Sequence, residues 1–527
     1  MAGSVNAFSR RSLLQGSAGA ASAGLLGRPA LAQASAAPLR IVPHANLSSL
    51  DSLQSSALIA LTAAMAIWDQ LFALDSKLVP QPQMVESYTL SDDKLRWTFR
   101  LRDGLLFHDG EKVRAADAIA SINRWAQRDL FGRRLAALQE EIRATDDRSF
   151  EIRLKAPFPQ LLYGFGATSC FVMPERVASA TPASTAVTDY VGSGPFIFKG
   201  DEWVAGSQAV FIRNERYVPR QEKPDMWAGG KVAKIARIEW KILPDPATAI
   251  AALQTGEVDW LERPIADLLP TLRGRRDIKV EALDPFGFWS QIRLNVSAPP
   301  FNNPALARAL LPAIQQADYM QALVGDDPAL FRDKVGFFLP GSPAASDVGM
   351  EALTGPRSIE RARQLVKESG YKGEPVIQMA ATDLASAAAM SPVAAQMMRD
   401  IGLSVDYQSM DWGSLLSRAL ASNAAERGTW HAYTVAWGGM WITNPISHIH
   451  LYGTSPNPKM EALRDAWFAA PDTGEQAAIT RQMQALAFQE PPVIPIGQYF
   501  VPNAYNTKLT GIVPSPVSLF WNVEKTS

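Results

Sequence analysis

Five histidines, one cysteine and one Trp-rich stretch are the residues of this 527-residue chain best placed to do chemistry. The histidines are His44, His108, His431, His448 and His450, and only the last two stand close together. Residues two apart on a helix do not share a face, and no carboxylate lies beside this pair, so they read as ordinary core or surface histidines rather than metal ligands. His108 precedes Asp109-Gly110, a turn signal, and reads as a turn residue rather than a catalyst. Gly192-Ser193-Gly194-Pro195 starts like a dinucleotide fingerprint but lacks the later glycine, and reads as a turn entering a strand. The chain has no G-x-S-x-G elbow, no H-E-x-x-H and no phosphate-binding G-x-x-x-x-G-K-[ST] loop. Cys170 stands alone, which excludes a disulfide framework and a cysteine-based zinc site and suits a small buried hydrophobe. The expectation is a chain without catalytic residues, metal or cofactor. The densest aromatic cluster is Trp430, Trp437, Trp441 and Tyr452, around Trp437-Gly438-Gly439-Met440-Trp441 and Asn444-Pro445. Large aromatics of this kind suit a packed core and the wall of a ligand cleft alike.

The elements that must position these residues are mixed strands and helices. Leu39 to Pro43 predicts a short strand, and Leu58 to Phe72 an amphipathic helix. Over Leu95 to Leu101, Trp97, Phe99 and Leu101 alternate with Arg96, Thr98 and Arg100, as a half-buried strand requires. Asp103-Gly104 and Asp109-Gly110 flank Leu105-Leu106-Phe107 and predict a hairpin, followed by a helix from about Ala115 to Arg128. Further strands are expected at Ser149 to Leu154, Gly194 to Phe198 and Ala209 to Arg213. Asn302-Asn303-Pro304 starts a helix carrying Leu306, Leu310 and Ile314. Helices at Ile359 to Ser369 and Met390 to Ile401 each end at a glycine followed by a strand pattern, the mark of an α/β lobe. No period of 20 to 50 residues recurs, which excludes solenoids and propellers.

The N-terminus reads as an export signal. Ser9-Arg10-Arg11-Ser12-Leu13-Leu14 resembles the box of the twin-arginine (Tat) pathway, followed by a weakly apolar Gly16 to Gly27 and a small-residue cleavage site at Ala30-Leu31-Ala32. Alternative cleavage patterns follow at Ala32-Gln33-Ala34 and Ala34-Ser35-Ala36. The apolar zone is too short to anchor the chain in a bilayer. Cleavage after Ala32 removes Arg10, Arg11 and Arg28 and takes the formal charge from −1 to −4, which argues against a nucleic-acid partner. At about 150 residues per domain, the remaining length suggests about three domains. No cysteine follows the signal to carry a lipid, so a free exported protein is expected.

Four segments together resemble the bacterial extracellular solute-binding proteins of family 5, the peptide, oligopeptide and nickel class of ABC importers. They are Leu90 to Trp125, with Trp97 to Gly104, Phe107-His108-Asp109-Gly110 and Ala115-Ala116-Asp117; Val191 to Phe196 with Arg213 to Tyr217; Ala252 to Asp259; and Leu294-Asn295 through Pro300 to Asn303 to Leu310. The resemblance implies an α/β, periplasmic-binding-protein type II fold of two lobes joined by a two-stranded hinge, with an extra subdomain in lobe I. By that pattern lobe I is 39–283 plus 503–527, its insert about 76–189, and lobe II 284–502, with crossings near Asp284-Pro285-Phe286 and Tyr499 to Pro502. It also implies a periplasmic protein that closes on a small solute and delivers it to an ABC permease and its ATPase subunits at the inner membrane, after export by the Tat translocase. A solute sensor and an exported enzyme are the rival readings.

In the resembling family a Trp at the place of Trp437 borders the ligand cleft, and in peptide binders a carboxylate three residues later holds the ligand's amino group. Here that place falls on Met440, whose thioether cannot pair with an ammonium. After the strand at Val376 to Met379 the chain offers Thr382 and Asp383 but no Arg to grip a carboxylate. Both departures weaken a di- or tripeptide reading and leave room for a less charged organic solute, so the expected ligand is a small organic solute, peptide-like or other. The candidate site is therefore Trp437, Met440, Trp441, Asn444 and Asp383, joined by family analogy by Trp289, His44, Asn46 and Trp412.

Overall fold

The structure is a computed structural model and describes residues 37–167, 169–421, 429–454 and 457–526. The twin-arginine box and its cleavage sites lie outside the described residues.

Alternating sequence becomes sheet in two lobes. In the first, a seven-stranded sheet runs in the order Phe196–Phe198, Gln208–Arg213, Arg237–Lys241, Leu39–Val42, Trp260–Leu261, Asn503–Asn506 and Ile278–Glu281. Leu39–Val42 lies between two parallel neighbours, with Leu39, Ile41 and Val42 buried and Arg40 half-buried beside Glu239. In the second, a six-stranded sheet runs Phe331–Arg332, Val493–Tyr499, Phe288–Leu294, Ala432–Gly438, Val376–Ala381 and Val405–Met410. The chain leaves the first sheet after Glu281 to start the second at Phe288, and returns between Tyr499 and Asn503. A separate four-stranded antiparallel sheet, Val85–Leu90, Arg96–Leu101, Ser149–Leu154 and Gln139–Ala144, carries the helices Ala115–Ala126 and Leu130–Leu138. Trp97, Phe99 and Leu101 all face its core.

Several elements differ from expectation, each for a physical reason. The helix expected over Leu58 to Phe72 stops at Ile67 and is covered on nearly every side rather than amphipathic. Beyond it Asp69–Gln70 and Phe72–Leu74 are drawn into short strands. Leu105 to Phe107 forms no strand; a single bridge, Leu106 to Lys112, closes its turn. The helix begun by the Asn303 cap, whose side chain accepts the Ala305 N–H at 3.0 Å, lasts only to Ala309, and a 3₁₀ turn takes over where Pro312 cannot donate. The helix expected from Met390 starts earlier, at Ala385, in Ala-rich sequence of high helix propensity, and carries Pro392 inside it.

Family-like motifs of the first lobe are spent on holding it together. The His108 ring accepts the Gly192 N–H on Nδ1 at 3.1 Å, which leaves Nε2 to donate to the Gly194 carbonyl at 3.2 Å. Gly192 lies so close to the end of the Leu58–Ile67 helix that a Cβ would stand 2.0 Å from the Ile67 carbonyl oxygen. That close approach, not a phosphate cradle, is why glycine is needed there. Below, Lys231 and Asp69 form a buried ion pair at 2.8 Å, with the Tyr217 hydroxyl donating to the other carboxylate oxygen at 2.8 Å. A second buried pair, Arg124 to Asp51 at 2.7 Å, fastens the helix Ala115–Ala126 to the segment after the first strand. Among the described residues no helix is long and apolar enough to cross a membrane.

Candidate functional site

The strand Ala432–Gly438 runs antiparallel to Phe288–Leu294 with Trp437 directly opposite Trp289, so the two indoles leave the same face of the second sheet. Their surroundings differ. Trp289 is 0 % exposed, donates its Nε1–H to the Gly336 carbonyl at 2.9 Å and meets the His448 ring edge-on. Trp437 lies near the strand's end and stays half-buried. The strand then passes the inter-lobe crossing: the Gly439 N–H donates to the Gly287 carbonyl at 2.7 Å, and a Cβ on Gly439 would stand 2.1 Å from the Phe286 carbonyl oxygen. Glycine at 439 therefore lets the chain turn tightly into the 3₁₀ segment Gly439–Ile442, which presents Met440 and Trp441.

Trp437, Met440 and Trp441 come together in the wall of a cavity of about 850 Å³. Its other walls are Leu74, Met226 and Trp227 of the first lobe, Phe286 of the crossing, and Phe131 and Tyr163 beside the four-stranded sheet. Among the described residues the wall contains no Lys, Arg or His. Its one acid, Asp129, is the N-cap of Leu130–Leu138, accepting the Phe131 and Gly132 N–H groups at 2.8 and 3.2 Å, and burial pushes its carboxyl above the usual range. Such a lining binds by apolar contact and ring faces, not by ion pairing.

The other candidates are placed elsewhere. Asn444 borders an adjoining space; its Oδ1 accepts the Ile446 and Ser447 N–H groups and its Nδ2 donates to the Tyr163 hydroxyl at 3.1 Å. His44 lines a small crevice at the crossing, with Nδ1 2.6 Å from Glu262, whose carboxyl burial would raise but which His44 and Ser518 hold at about 2. Asn46 is exposed and accepts the Gly206 N–H at 3.0 Å. Asp383, also exposed, accepts the Trp412 N–H at 2.7 Å. Trp412 itself packs edge-on against Tyr433, and Trp430 is core beside that ring. His448 and His450 are buried behind Trp437, with the His450 ring edge-on to the Trp437 indole at 5.0 Å. Burial holds both imidazoles neutral, at about 3 and about 2, helped by the nearby Arg293. Among the described residues no group of three or more His, Cys, Asp or Glu is placed to hold a metal ion.

The opposite wall is what sequence reasoning missed. Tyr163 stands 281 residues from its partner Asn444, and Trp227 and Phe131 lie in segments with no motif of their own. Their only signal is being large and aromatic, which core residues share.

Comparison with known proteins gives this geometry a context. The family model described as bacterial extracellular solute-binding proteins, family 5, middle, matches residues 79–459. A probable peptide ABC transporter periplasmic-binding protein of Sinorhizobium fredii is 38% identical over 98% of this chain and 99% of its own. The glutathione-binding protein of Pectobacterium atrosepticum is 24% identical over 91% of this chain and 92% of its own. The crystal structure of the ABC transporter substrate binding protein CtaP from Listeria monocytogenes shares the fold with a TM-score of 0.79 at 20% identity, covering 93% of this chain and 99% of that one. The architecture is the two-lobed, periplasmic-binding-protein type II fold.

Proposed function

The chain belongs to family 5 of the bacterial extracellular solute-binding proteins, and on that premise we propose that it is the periplasmic solute-binding component of an ABC importer whose solute occupies the Trp437–Met440–Trp441 cavity. The observation that carries this reading is the composition of the cavity wall, which takes residues from both sheets' lobes, from the four-stranded subdomain and from the crossing. A solute there touches all of them and stabilises the arrangement in which they meet, which is how a binding protein signals occupancy to a membrane permease. The proposed lobes are 39–283 plus 503–527, with the insert at about 76–189, and 284–502. The Tat translocase is the proposed export route, the permease and its ATPase subunits the proposed partners, and no bond is made or broken by this chain.

The wall's chemistry bears on the solute. With Met440 where the family's peptide binders carry a carboxylate, the described wall offers no basic side chain to the carboxylate of a free dipeptide, and its one acid, Asp129, is engaged as a helix cap by the Phe131 and Gly132 N–H groups. The solute is proposed to be a small organic molecule without a strong ionic requirement.

Mass spectrometry of small molecules released by denaturing freshly purified protein names the solute. A thermal-shift panel then ranks candidates, since stabilisation follows RT ln(1 + [L]/Kd). Trp441→Ala is expected to weaken the released solute's binding at least tenfold. A shift of several degrees with a simple dipeptide would overturn the assignment of solute class, and an unchanged affinity in Trp441→Ala would overturn the site.

A further inference from the structure

The cavity beside Trp441 has a neighbour across Tyr163. Leu78 and Tyr163 stand in its wall and also in the wall of a second space of about 1070 Å³. This second chamber lies between the segments Lys77 to Pro80 and Pro159 to Tyr163 on one side and the helices Pro458–Ala469 and Thr473–Gln489 on the other. The two spaces lie side by side, with Leu78 and Tyr163 common to both walls.

The partition between them is fixed by the chain. The Tyr163 hydroxyl accepts from Asn444 Nδ2 at 3.1 Å, spanning the subdomain and the second lobe. Leu78 holds a left-handed backbone, φ 63°, with its N–H donating to the Asp75 carbonyl at 2.9 Å. Side chains at these two positions form the wall that the two spaces share.

Chemistry changes across the partition. The first chamber is ringed by aromatic faces and thioethers, whereas the second carries the amides of Gln160 and Gln476 and the hydroxyls of Thr473 and Thr480. Gln160 is the telling residue: it is only 5 % exposed, its Nε2 donates weakly to the Ala470 carbonyl at 3.4 Å, and its Oε1 has no hydrogen-bond partner among the described residues. Buried amide oxygens are nearly always paired, so an unpaired one in a cavity wall suits a donor from outside the chain. Charge is scarce: Asp472 is committed to the Gly474 and Glu475 N–H groups as a helix cap, and Lys77 is exposed.

We propose that the two chambers hold one elongated, uncharged solute, its apolar head among the rings at Trp437 and Trp441 and its N–H- or O–H-bearing tail reaching past Tyr163 toward Gln160. The proposal rests on the reading of the first chamber as the solute site and specifies what that site selects: length and a hydrogen-bonding tail rather than terminal charges.

Two blocked peptides serve as probes on the full chain by isothermal titration calorimetry. N-acetylphenylalaninamide has the head alone, and N-acetylphenylalanylglycylglycinamide adds a tail of peptide N–H groups without adding charge. The longer probe is expected to bind at least tenfold tighter. Ala477→Trp, which fills the second chamber from its lobe II wall, and Gln160→Leu, which removes the acceptor, are each expected to bring the two probes to the same affinity. Melting curves of both variants report whether they fold as the parent does, and a misfolded variant leaves the other to decide. Equal affinities in the parent, or a length gain that survives both substitutions, would overturn the proposal. Binding of neither probe, while a released solute binds and loses affinity in Trp441→Ala, would overturn the elongated uncharged solute yet leave the first chamber as the site. Indifference of every ligand to Trp441→Ala would remove the site itself.

Discussion

Two buried histidine settings, one in each lobe, spend their polar atoms differently. His108 in the first lobe engages both ring nitrogens on backbone, Nδ1 with the Gly192 N–H and Nε2 with the Gly194 carbonyl. Behind Trp437, His448 uses Nε2 on the Phe337 carbonyl at 2.8 Å and His450 uses Nδ1 on Arg293. The remaining nitrogens of both rings, the Trp437 Nε1 and both amide atoms of Gln291 have no partner among the described residues. Exceptions to pairing call for an explanation beyond packing. His108, within a family-like stretch, is thus finished scaffold, whereas unpaired groups stand behind Trp437 beside the cavity; buried side-chain atoms without a partner among the described residues also occur in the first lobe, among them both amide atoms of Gln70 and the Trp97 indole nitrogen. Beside the cavity such a shortfall is where a solute can supply the missing partner.

The first-lobe half of this contrast is broken most directly at Lys231. Burial alone would raise the Asp69 carboxyl, but Lys231 at 2.8 Å outweighs it and holds the group below its usual range. Lys231→Met leaves that carboxylate buried without its paired cation, which costs about 3–5 kcal/mol. Urea unfolding should show a loss of that size, while the refolded variant binds the released solute within about twofold of the parent. A loss below about 1 kcal/mol would mean that the first lobe is not closed upon its own polar groups.

Acid sharpens the same contrast. Burial holds His108 down at about 4, so the folded protein keeps it neutral while an unfolded histidine takes a proton near 6.5. Stability from this group is therefore complete above about pH 6.5 and lost as pH falls toward 4, with a single-site share of about 3 kcal/mol. His448 and His450, held lower still, act in the same direction. Asp284 at the crossing acts in the opposite one: burial raises it to about 6, so its contribution is present below its unfolded value and lost as pH rises through 6. His431 is also held down by burial, while Asp117 and Asp129 are pushed up by it as Asp284 is, so the histidines, three of them held at about 4 or lower, set the net loss on acidification. Urea midpoints at pH 7 and pH 5 should fall with pH in the parent and fall less in His108→Gln; equal slopes would show that the His108 ring is not held neutral.

How much of this was legible in the sequence depended on the range of the interaction. The strand Ser149–Leu154 and the Asn303 cap are set by neighbours a few residues away, and both stand where expected. The helix over Leu58 to Phe72 was overdrawn because tertiary partners, the strand Phe171–Val172 for Asp69–Gln70 and Pro80–Pro82 for Phe72–Leu74, pulled its last turn into sheet. At the candidate site the sequence offered Trp437, Met440 and Trp441 as one run, and the cavity gathers all three. It offered Trp289 on the same terms, yet Trp289 is covered from behind by His448 while Trp437 sits where Gly438 and Gly439 end the strand. No local pattern separates those two indoles, because the difference lies in what packs across 160 residues of intervening chain or in what does not.

The smallest effects are expected at Asn46 and Asp383, and they test the contrast from its outer side. Each is exposed and already gives its Oδ1 to a backbone N–H, of Gly206 at 3.0 Å and of Trp412 at 2.7 Å. Asn46→Ala and Asp383→Ala should each cost about 0.5–1.5 kcal/mol in unfolding, the ordinary worth of one such bond. Solute affinity should stay within about twofold, since neither residue stands in the wall of the Trp441 cavity or its neighbour. A tenfold loss of affinity at either position, with the fold intact, would shift the solute toward the exposed ends of the strands. The unpaired groups behind Trp437 would then answer to a demand of the second lobe's own core, and the division between finished scaffold and ligand-facing wall would have to be drawn elsewhere.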